Sequence, residues 1–364
     1  MSLRLLNIVI IINGLPIVNN LLQVGDFRFD YYDESLFRAF SELGNEVEVS
    51  KFEWSPYFSN YQYKNIWDKI RFALANRYKF GSIVRQLNQD LIDEVERGDY
   101  DIVFLWRAVH LYPSTIQRIK KHSVVIGYNN DQTFSDHHPW WLFRLLKQSI
   151  PYYDHFFVYR PSDIAAIERL GTEASVFMPT FDVERIFPIA SREQVFDVAF
   201  VGHYEDDGRD ELLLKMVESG FKVMLKGQRW SESQHYAALK SALGEIVPAY
   251  DDYNEALNSA KVCLSFLSKL NNDTYTRRTL EIPATQTVML AEYTQDQAHM
   301  FAPDREAMYF SSHAEALEKL TFLVNHSHER EAIALAGYAK VMNGPYQLSD
   351  RVHEILKVAG KYSR

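Results

Sequence analysis

The chain repeats one local pattern along most of its length: an amphipathic helical stretch, then a glycine, then a short apolar run. In IVRQLNQDLIDEVERGDYDIVFLW (83–106), Gly98 separates the helical part from the apolar part, and residues 153–179 repeat the pattern around Gly171. A second series begins with FDVAFVGHYEDDGRDELLLKMVESGFKVMLKG (196–227). Short apolar runs that alternate with helices of this length predict crossover units and parallel α/β sheets.

Two such series predict two domains, because 364 residues are too many for one comfortable core. The stretch MPTFDVERIFPIASREQ between them contains two prolines and no clear periodicity. We therefore predict a Rossmann-like domain over 1–182, a second over 183–345, and a C-terminal helix over 346–364 that crosses back to the first domain. Two parallel-sheet domains that face each other leave a central cleft, and ligands of such sheets bind beyond the carboxyl ends of the strands.

Composition and charge narrow the classes of function. The net charge of -9 argues against a nucleic-acid partner, which needs a basic surface. The single cysteine, Cys263, lies in an apolar run, so we expect it in the core, with no internal disulfide, as fits a reducing cytoplasm. The apolar run LNIVIIIN (6–13) is too short to span a bilayer and lacks a signal-peptide cleavage pattern. We expect it to form the first strand of a cytoplasmic protein.

The segment FVGHYEDDGRDELL offers a first candidate binding loop. Gly202 and His203 end a predicted strand, and a strand-to-helix loop of this kind leaves backbone N–H groups free for an anion. Arg209 follows in the first helical turn, where the helix dipole disfavours a cation. This position suggests a ligand anion nearby, although a solvated helix end explains the same residues.

The segment KVMLKGQRW places a second set of candidates after the next strand. Lys226 and Gly227 are suited to a phosphate, and Trp230 could cover a base or a sugar. The alternative is a polar turn with a packed tryptophan.

The segment RRTLEIPATQTVML (277–290) places two arginines and a glutamate directly before an apolar run. We expect Thr274 or Thr276 to cap a helix there. The helix start, with Thr276, Arg277 and Arg278, would then form a diphosphate site. Glu281, about one turn further on, could accept hydrogen bonds from the two vicinal hydroxyls of a ribose. The alternative is a helix end with solvated charges.

Asp131 ends another predicted strand and is the first candidate for a general base, with His137 as the second. A transferase that inverts the anomeric centre needs such a base, whereas a retaining one does not. The alternative role for Asp131 is to cap its loop. Neither the pair His137-His138 nor the acidic pairs of the chain have the spacing of a metal site, so we expect no metal.

Two aromatic and basic stretches, 64–86 and 140–148, are candidates for contact with an anionic membrane. A helix face packed on the core is the simpler explanation, and we favour it from the sequence.

Several segments resemble one known family in the same order along the chain: VVIGYNNDQT, YDHFFVYRPSDIAAIERLGTEASVFMPTFDVERIFP, FDVAFVGHYEDDGRDELL and TYTRRTLEIPATQTVMLAEYTQDQAHMFAPDREAMYF. They resemble the CgeB-like glycosyltransferases of spore maturation, of the group-1 type, over about residues 100–355. The resemblance implies a GT-B fold and a nucleotide-diphospho-sugar donor in the second domain, with Glu281 on the ribose and Arg209, Lys226 and residues 276–278 near the diphosphate. It also implies that helix dipoles and cations replace a metal, so that no cofactor besides the donor is needed.

The resemblance predicts transfer of a sugar to a saccharide, lipid-linked or protein acceptor in cell-surface glycan synthesis, and we favour a retaining reaction. The sequence departs from the family pattern at two positions. Gln286 or a neighbour replaces a glycine, where a positive φ would strain glutamine, and Asp273 replaces a glutamate eight residues before Glu281. These departures leave two alternatives open: a non-catalytic relative that binds a glycan or a partner, and a sugar-nucleotide epimerase.

Overall fold

We analysed a computed structural model, which describes residues 18–28, 33–42, 47–191, 193–250 and 252–362. The strand predicted at 6–13 lies outside these residues. The chain forms two compact units, the first made of residues Met1–Met178 and Leu348–Arg364 and the second of Pro179–Gln347. The boundary between the units thus lies after Met178, a few residues before the predicted boundary after residue 182. The C-terminal helix belongs to the first unit.

The first unit is a parallel sheet with helices packed on it. Its described strands are β1 (Asn20–Gly25), β2 (Glu48–Glu53), β3 (Ile102–Trp106), β4 (Val124–Asn129), β5 (His155–Val158) and β6 (Glu173–Val176), in the order β2-β1-β3-β4-β5-β6. Its described helices are α1 (Asp33–Ser41), α2 (Pro56–Ser59), α3 (Ile66–Tyr78), α4 (Ser82–Gly98), α5 (Pro113–Ile119), α6 (Arg144–Ser149), α7 (Ile164–Glu168) and the C-terminal α15 (Leu348–Ala359). The central strands are almost continuously buried, as expected for a parallel sheet covered on both faces.

The second unit repeats this architecture. Its described strands are β7 (Phe196–Val201), β8 (Val223–Lys226), β9 (Ala260–Ser265), β10 (Val288–Glu292) and β11 (Met308–Phe310), all parallel in the order β11-β10-β9-β7-β8. Its described helices are α8 (Arg209–Glu218), α9 (Tyr236–Leu243), α10 (Tyr253–Asn258), α11 (Arg278–Ala284), α12 (Gln295–Met300), α13 (His313–Asn325) and α14 (Ser327–Asn343). Cys263 is buried in β9, as the sequence predicted.

Both sheets have a doubly wound strand order. In each, the chain adds a strand on one side of the first described strand and then continues on the other side. The reversal lies between β1 and β3 in the first unit and between β7 and β9 in the second. Loops diverge at such a switch point, and the crevice beyond the carboxyl ends of the strands is where this architecture binds ligands.

The pattern of helix, glycine and strand is confirmed. Gly171 lies between α7 and β6 with φ +92°, and Gly220 lies between α8 and β8 with φ +87°. Gly98 differs, because it is the last residue of α4 and the left-handed position is taken by Asp99 at φ +50°. β1 was not predicted, since its six residues NLLQVG mix three apolar side chains with polar ones and carry no strong turn signal.

Candidate functional site

The loops after β7 and β8 approach each other closely. Gly202 N donates to Lys226 O at 2.9 Å. Gly227 adopts φ +156°, and a Cβ there would lie 1.8 Å from Gly202 O, so this approach requires glycine. Trp230 is buried and its Nε1 donates to the same oxygen at 3.0 Å. The ring therefore packs in the core, which corrects the suggestion that Trp230 covers a ligand.

Arg209 is 2% exposed and holds the ends of two strands together. Its Nη1 donates to His203 O at 2.9 Å, after β7, and its Nη2 donates to Leu267 O at 3.3 Å, after β9. Nε and Nη2 also form a two-point pair with the Asp207 carboxylate at 2.8 and 2.6 Å. The anion that offsets a cation at this helix start is thus a side chain of the chain itself. Asp207 therefore accounts for a cation at this helix start, and a role of Arg209 near a diphosphate stays a prediction.

Arg278 lies at the switch point of the second unit. Its Nη1 is 3.5 Å from Val201 O at the end of β7, and its Nη2 is 3.3 Å from Phe266 O after β9. The guanidinium also lies over the Phe200 ring, 5.5 Å from its centroid. These contacts are long for hydrogen bonds, and the buried Nε has no hydrogen-bond partner among the described residues. The cation is held in place but weakly compensated.

Glu281, which lies on the same helix as Arg278, accepts two short hydrogen bonds. Arg277 Nη2 donates to Oε1 at 2.7 Å, and the Tyr253 hydroxyl donates to Oε2 at 2.7 Å. The residue is only 5% exposed. Burial, and then the charge of Glu281, raises the pKa of Tyr253 well above its usual range, so the phenol stays a donor. A carboxylate has about four lone-pair sites, so Glu281 keeps acceptor capacity for hydroxyls.

The start of α11 is built differently from the prediction. Its N-cap is Arg277, with no side-chain cap, so neither Thr274 nor Thr276 caps the helix. Thr276 N instead donates to Thr279 Oγ1 at 3.0 Å, and Thr279 N donates to Thr276 O at 3.1 Å. The backbone N–H of Thr276, which we predicted to bind a diphosphate, thus already donates to Thr279.

Two further candidates lie in loops of the same unit. Lys226 Nζ forms an ion pair with Asp252, the residue that precedes α10 and Tyr253. The His203 side chain is exposed, with Nε2 3.2 Å from Glu205 Oε1. Burial alone would raise the pKa of Glu205, but His203 and the Arg209 charge outweigh it and lower that pKa. Lys226 is therefore connected through α10 to the Glu281 carboxylate, whereas His203 faces a carboxylate of its own loop.

Gln286 follows α11 with φ +57°, in the left-handed region. The predicted strain at this position is confirmed, and the side chain is exposed.

In the first unit, Asp131 lies just beyond β4. Its Oδ2 is 2.8 Å from Nη2 of Arg107, which lies just beyond β3 with φ +49°. Asn129 Nδ2 donates to Asp131 O at 3.0 Å and fixes the loop backbone. His137 is exposed on the same loop, where its backbone N donates to Ser135 Oγ at 3.1 Å. The roles of Asp131 and His137 stay predictions.

The sequence analysis did not single out a buried basic pair in this unit. Lys79 is 6% exposed, with Nζ 2.9 Å from His110 Nε2 and 3.4 Å from Asn76 Oδ1. Burial, and then the charge of Arg107, lowers the pKa of Lys79 to about 8. Burial lowers the pKa of His110 well below its usual value. One sequence signal could have identified this pair as a candidate, because His110 lies shortly after a predicted strand.

Within the described ranges, no group of three His, Cys, Asp or Glu side chains is arranged to hold a metal ion. None of the helices described there is long and apolar enough to cross a membrane.

Comparison with known proteins identifies the architecture. Residues 209–357 match the family model described as glycosyl transferase-like. Sucrose-phosphate synthase of Thermosynechococcus elongatus has a similar structure, with a TM-score of 0.65 and 10% identity over 93% of this chain and 97% of that chain. The structure of Anabaena HepE in complex with UDP-glucose is similar as well, with a TM-score of 0.62 and 9% identity over 93% of this chain and 99% of that chain.

A Listeria monocytogenes protein described as a UDP-N-acetylglucosamine 2-epimerase gives a TM-score of 0.54 and 10% identity, over 93% of this chain and 94% of that chain. No curated protein sequence matches the chain. At these identities the structural likeness establishes the fold alone. The chain has the GT-B fold, and its residues 209–357 match the glycosyl transferase-like family model.

Proposed function

We propose that the chain is a glycosyltransferase of the group-1, CgeB-like type. It moves a sugar from a nucleotide-diphospho-sugar to a saccharide, lipid-linked or protein acceptor in cell-surface glycan synthesis, in the cytoplasm and with retention at the anomeric carbon. The donor serves without a metal or further cofactor. The observation that carries this proposal is the set of cations at the switch point of the second unit, next to the buried Glu281 carboxylate.

Glu281 is the proposed ribose ligand. Arg277 and Tyr253 each occupy one of its oxygens and fix the carboxylate in a single orientation. The remaining lone pairs accept the 2′ and 3′ hydroxyls, as two charge-assisted hydrogen bonds. The glucose donor bound to HepE, a protein of similar fold, supports a UDP-sugar as the ligand class.

Arg278 is the proposed diphosphate ligand, assisted by Arg277 and Lys226. Its guanidinium lies across the ends of β7 and β9 on long contacts, so a phosphate oxygen would meet a cation that the chain leaves weakly compensated. Charge that develops on the leaving diphosphate would be stabilised by these fixed cations. Arg209 is a positioning residue in this scheme, because its guanidinium is bound by Asp207 and by strand-end carbonyls.

Asp131 and His137 remain the proposed acceptor-side groups. The Arg107 pair orients the Asp131 carboxylate, and this arrangement suits a group that positions an acceptor hydroxyl.

A non-catalytic relative is the second candidate, and the strained Gln286 favours it, since a family glycine has been replaced there. An epimerase would need an acid and a base carboxylate on the donor side. Glu281 already binds Arg277 and Tyr253, which fits it poorly for proton transfer.

The test is calorimetric binding of UDP, GDP and dTDP, and of 2′-deoxy-UDP, to wild type and Glu281→Ala. Loss of one charge-assisted hydrogen bond should weaken binding by roughly 10- to 100-fold. The 2′-deoxy ligand should bind wild type that much more weakly than UDP does, whereas Glu281→Ala should bind the two alike. Exposed Glu218→Ala is the matched control.

A preference for UDP over 2′-deoxy-UDP that survives in Glu281→Ala would refute the ribose role of Glu281. Binding without turnover of any UDP-sugar, with water or an acceptor, would favour the non-catalytic relative. No binding of any nucleotide would overturn the proposal.

A further inference from the structure

Helix α3 is a surface helix that turns an apolar face away from its own unit. None of its 13 residues is buried. Trp67 is 72% exposed and Ile66 is 64% exposed, and both Ile70 and Leu74 are exposed as well. At 100° per residue, these four side chains fall within an arc of about 100°. They form one continuous stripe along about 12 Å of helix.

The other side of α3 holds the helix to the first unit. The Phe72 ring stacks on Tyr61 at 4.6 Å between centroids and also contacts Phe58 at 6.4 Å. Asn76 Oδ1 lies 3.2 Å from His110 Nε2. Asn65 caps the helix by accepting from Asp68 N at 2.9 Å. The helix is therefore anchored and capped, so its apolar stripe is presented in a fixed orientation. The packed-face explanation favoured from the sequence does not hold for this stripe.

The loop before α6 extends the stripe. Trp140 is 68% exposed, and its ring lies 5.9 Å from the Tyr78 ring at the end of α3. Arg144 Nη2 donates to Tyr78 O at 2.8 Å and ties the two segments together. We define the α3 surface as Ile66, Trp67, Ile70, Leu74 and Trp140.

Cations surround the α3 surface. Residues 64–86 carry six Lys and Arg against a single Asp, in a chain whose net charge is -9. Lys64, Lys69, Arg71 and Arg77 are exposed, and Arg77 lies over the Trp141 ring at 5.0 Å. The local charge thus has the opposite sign to that of the whole chain.

We propose that the α3 surface docks on an anionic lipid bilayer, with α3 lying in the plane of the interface. Its apolar stripe would enter the boundary between headgroups and acyl chains, and the tryptophans would lie at headgroup depth. The flanking Lys and Arg side chains would meet anionic headgroups. Two copies of the surface would instead place cations against cations. This inference does not depend on the proposed transfer reaction.

The test is co-sedimentation of the full chain, without nucleotide, with vesicles of phosphatidylcholine alone and of phosphatidylcholine with phosphatidylglycerol. We expect binding to the mixed vesicles that falls with added salt. Lys69→Gln with Arg71→Gln should lower the partition coefficient by about 30-fold, which is the usual combined contribution of two surface cations. Trp67→Ser with Ile70→Ser should abolish binding.

The matched controls are Leu335→Ser, at a residue 56% exposed on α14, and Lys121→Gln, at another exposed lysine. Both should bind as wild type does. All test positions are exposed, and unchanged thermal unfolding checks that each variant folds.

Four outcomes would overturn the proposal. Wild type could fail to bind mixed vesicles, or bind neutral ones equally well. The α3 variants could bind as tightly as the controls do. Size-exclusion chromatography could show a dimer that Trp67→Ser with Ile70→Ser dissociates, while vesicles bind nothing, which would make the surface an interface between copies.

Discussion

Lys79→Met should remove a pH dependence that the buried lysine imposes on the first unit. Lys79 Nζ is 2.9 Å from His110 Nε2, and burial lowers its pKa to about 8 from an ordinary 10.5. The charged form is therefore disfavoured in the folded state. Methionine fills a similar volume without a charge, so the variant tests the ionisation more than the packing.

The magnitude follows from the two pKa values. Between about pH 8 and 10.5 the unfolded chain binds a proton at Lys79 that the folded chain does not, so stability rises with pH through this window. The full penalty, present below about pH 8, is on the order of 3 kcal/mol. Lys79→Met should therefore be more stable than wild type near neutral pH. The loss of the Lys79 contacts to His110 and Asn76 will reduce this gain in stability. That advantage should shrink by about 3 kcal/mol as pH rises to about 10.5.

Hydrogen-exchange mass spectrometry of peptides from β3 and β4 would measure this difference within the first unit, because a two-unit chain need not unfold in a single step. Lys121→Met, at an exposed site, is the control, and its difference from wild type should not change with pH. A difference between Lys79→Met and wild type that stays constant across the window, within about 0.5 kcal/mol, would refute the reasoning, since linkage requires it to change.

Two substitutions at backbone-strained positions give further predictions. Gln286→Gly should stabilise the second unit by about 1 kcal/mol, because φ +57° costs glutamine more than glycine, and Gln286→Ala should not. Chemical denaturation measures both, and equal effects would contradict the explanation. Gly227→Ala should cost about 3 kcal/mol or more and abolish nucleotide binding, because its Cβ would lie 1.8 Å from Gly202 O. Gly220→Ala, with nothing within 4 Å of its Cβ, should cost only the about 1–2 kcal/mol of a left-handed alanine, and a similar loss in both variants would refute the steric argument.

The sequence predicted the parallel sheets well because the hydrophobic period is a local property. Helix α4 and strand β3 could be read from one window of 24 residues, with Gly98 at the junction. Strand β1 could not, because NLLQVG follows another apolar run, and only pairing with β2 and β3 distinguishes it as a strand. A local pattern therefore predicts a strand with an unbroken apolar run, such as β3, better than one that mixes apolar and polar side chains, such as β1.

The candidate site shows where this limit affects function. Sequence placed Glu281 and its two arginines on one short helix, but Tyr253, the second partner of the carboxylate, comes from α10, 28 residues away. The predicted threonine cap was wrong because Thr279, inside the helix, competes for the same turn by accepting from Thr276 N. Side-chain hydrogen bonds such as these two depend on rotamers and on tertiary packing, and neither can be read from residue spacing.

Arg209 and Arg278 lie at the same switch point of the second sheet, but their charges are compensated to different degrees. Both bridge the ends of β7 and β9, but Arg209 is fully buried and bound at two points by Asp207. A buried charge is tolerated only with such compensation. Arg278 has contacts of 3.3 and 3.5 Å to carbonyls and a buried Nε without a hydrogen-bond partner among the described residues. The first cation is thus satisfied by the chain and fixes the crevice, and the second retains the electrostatic deficit that a diphosphate would remove.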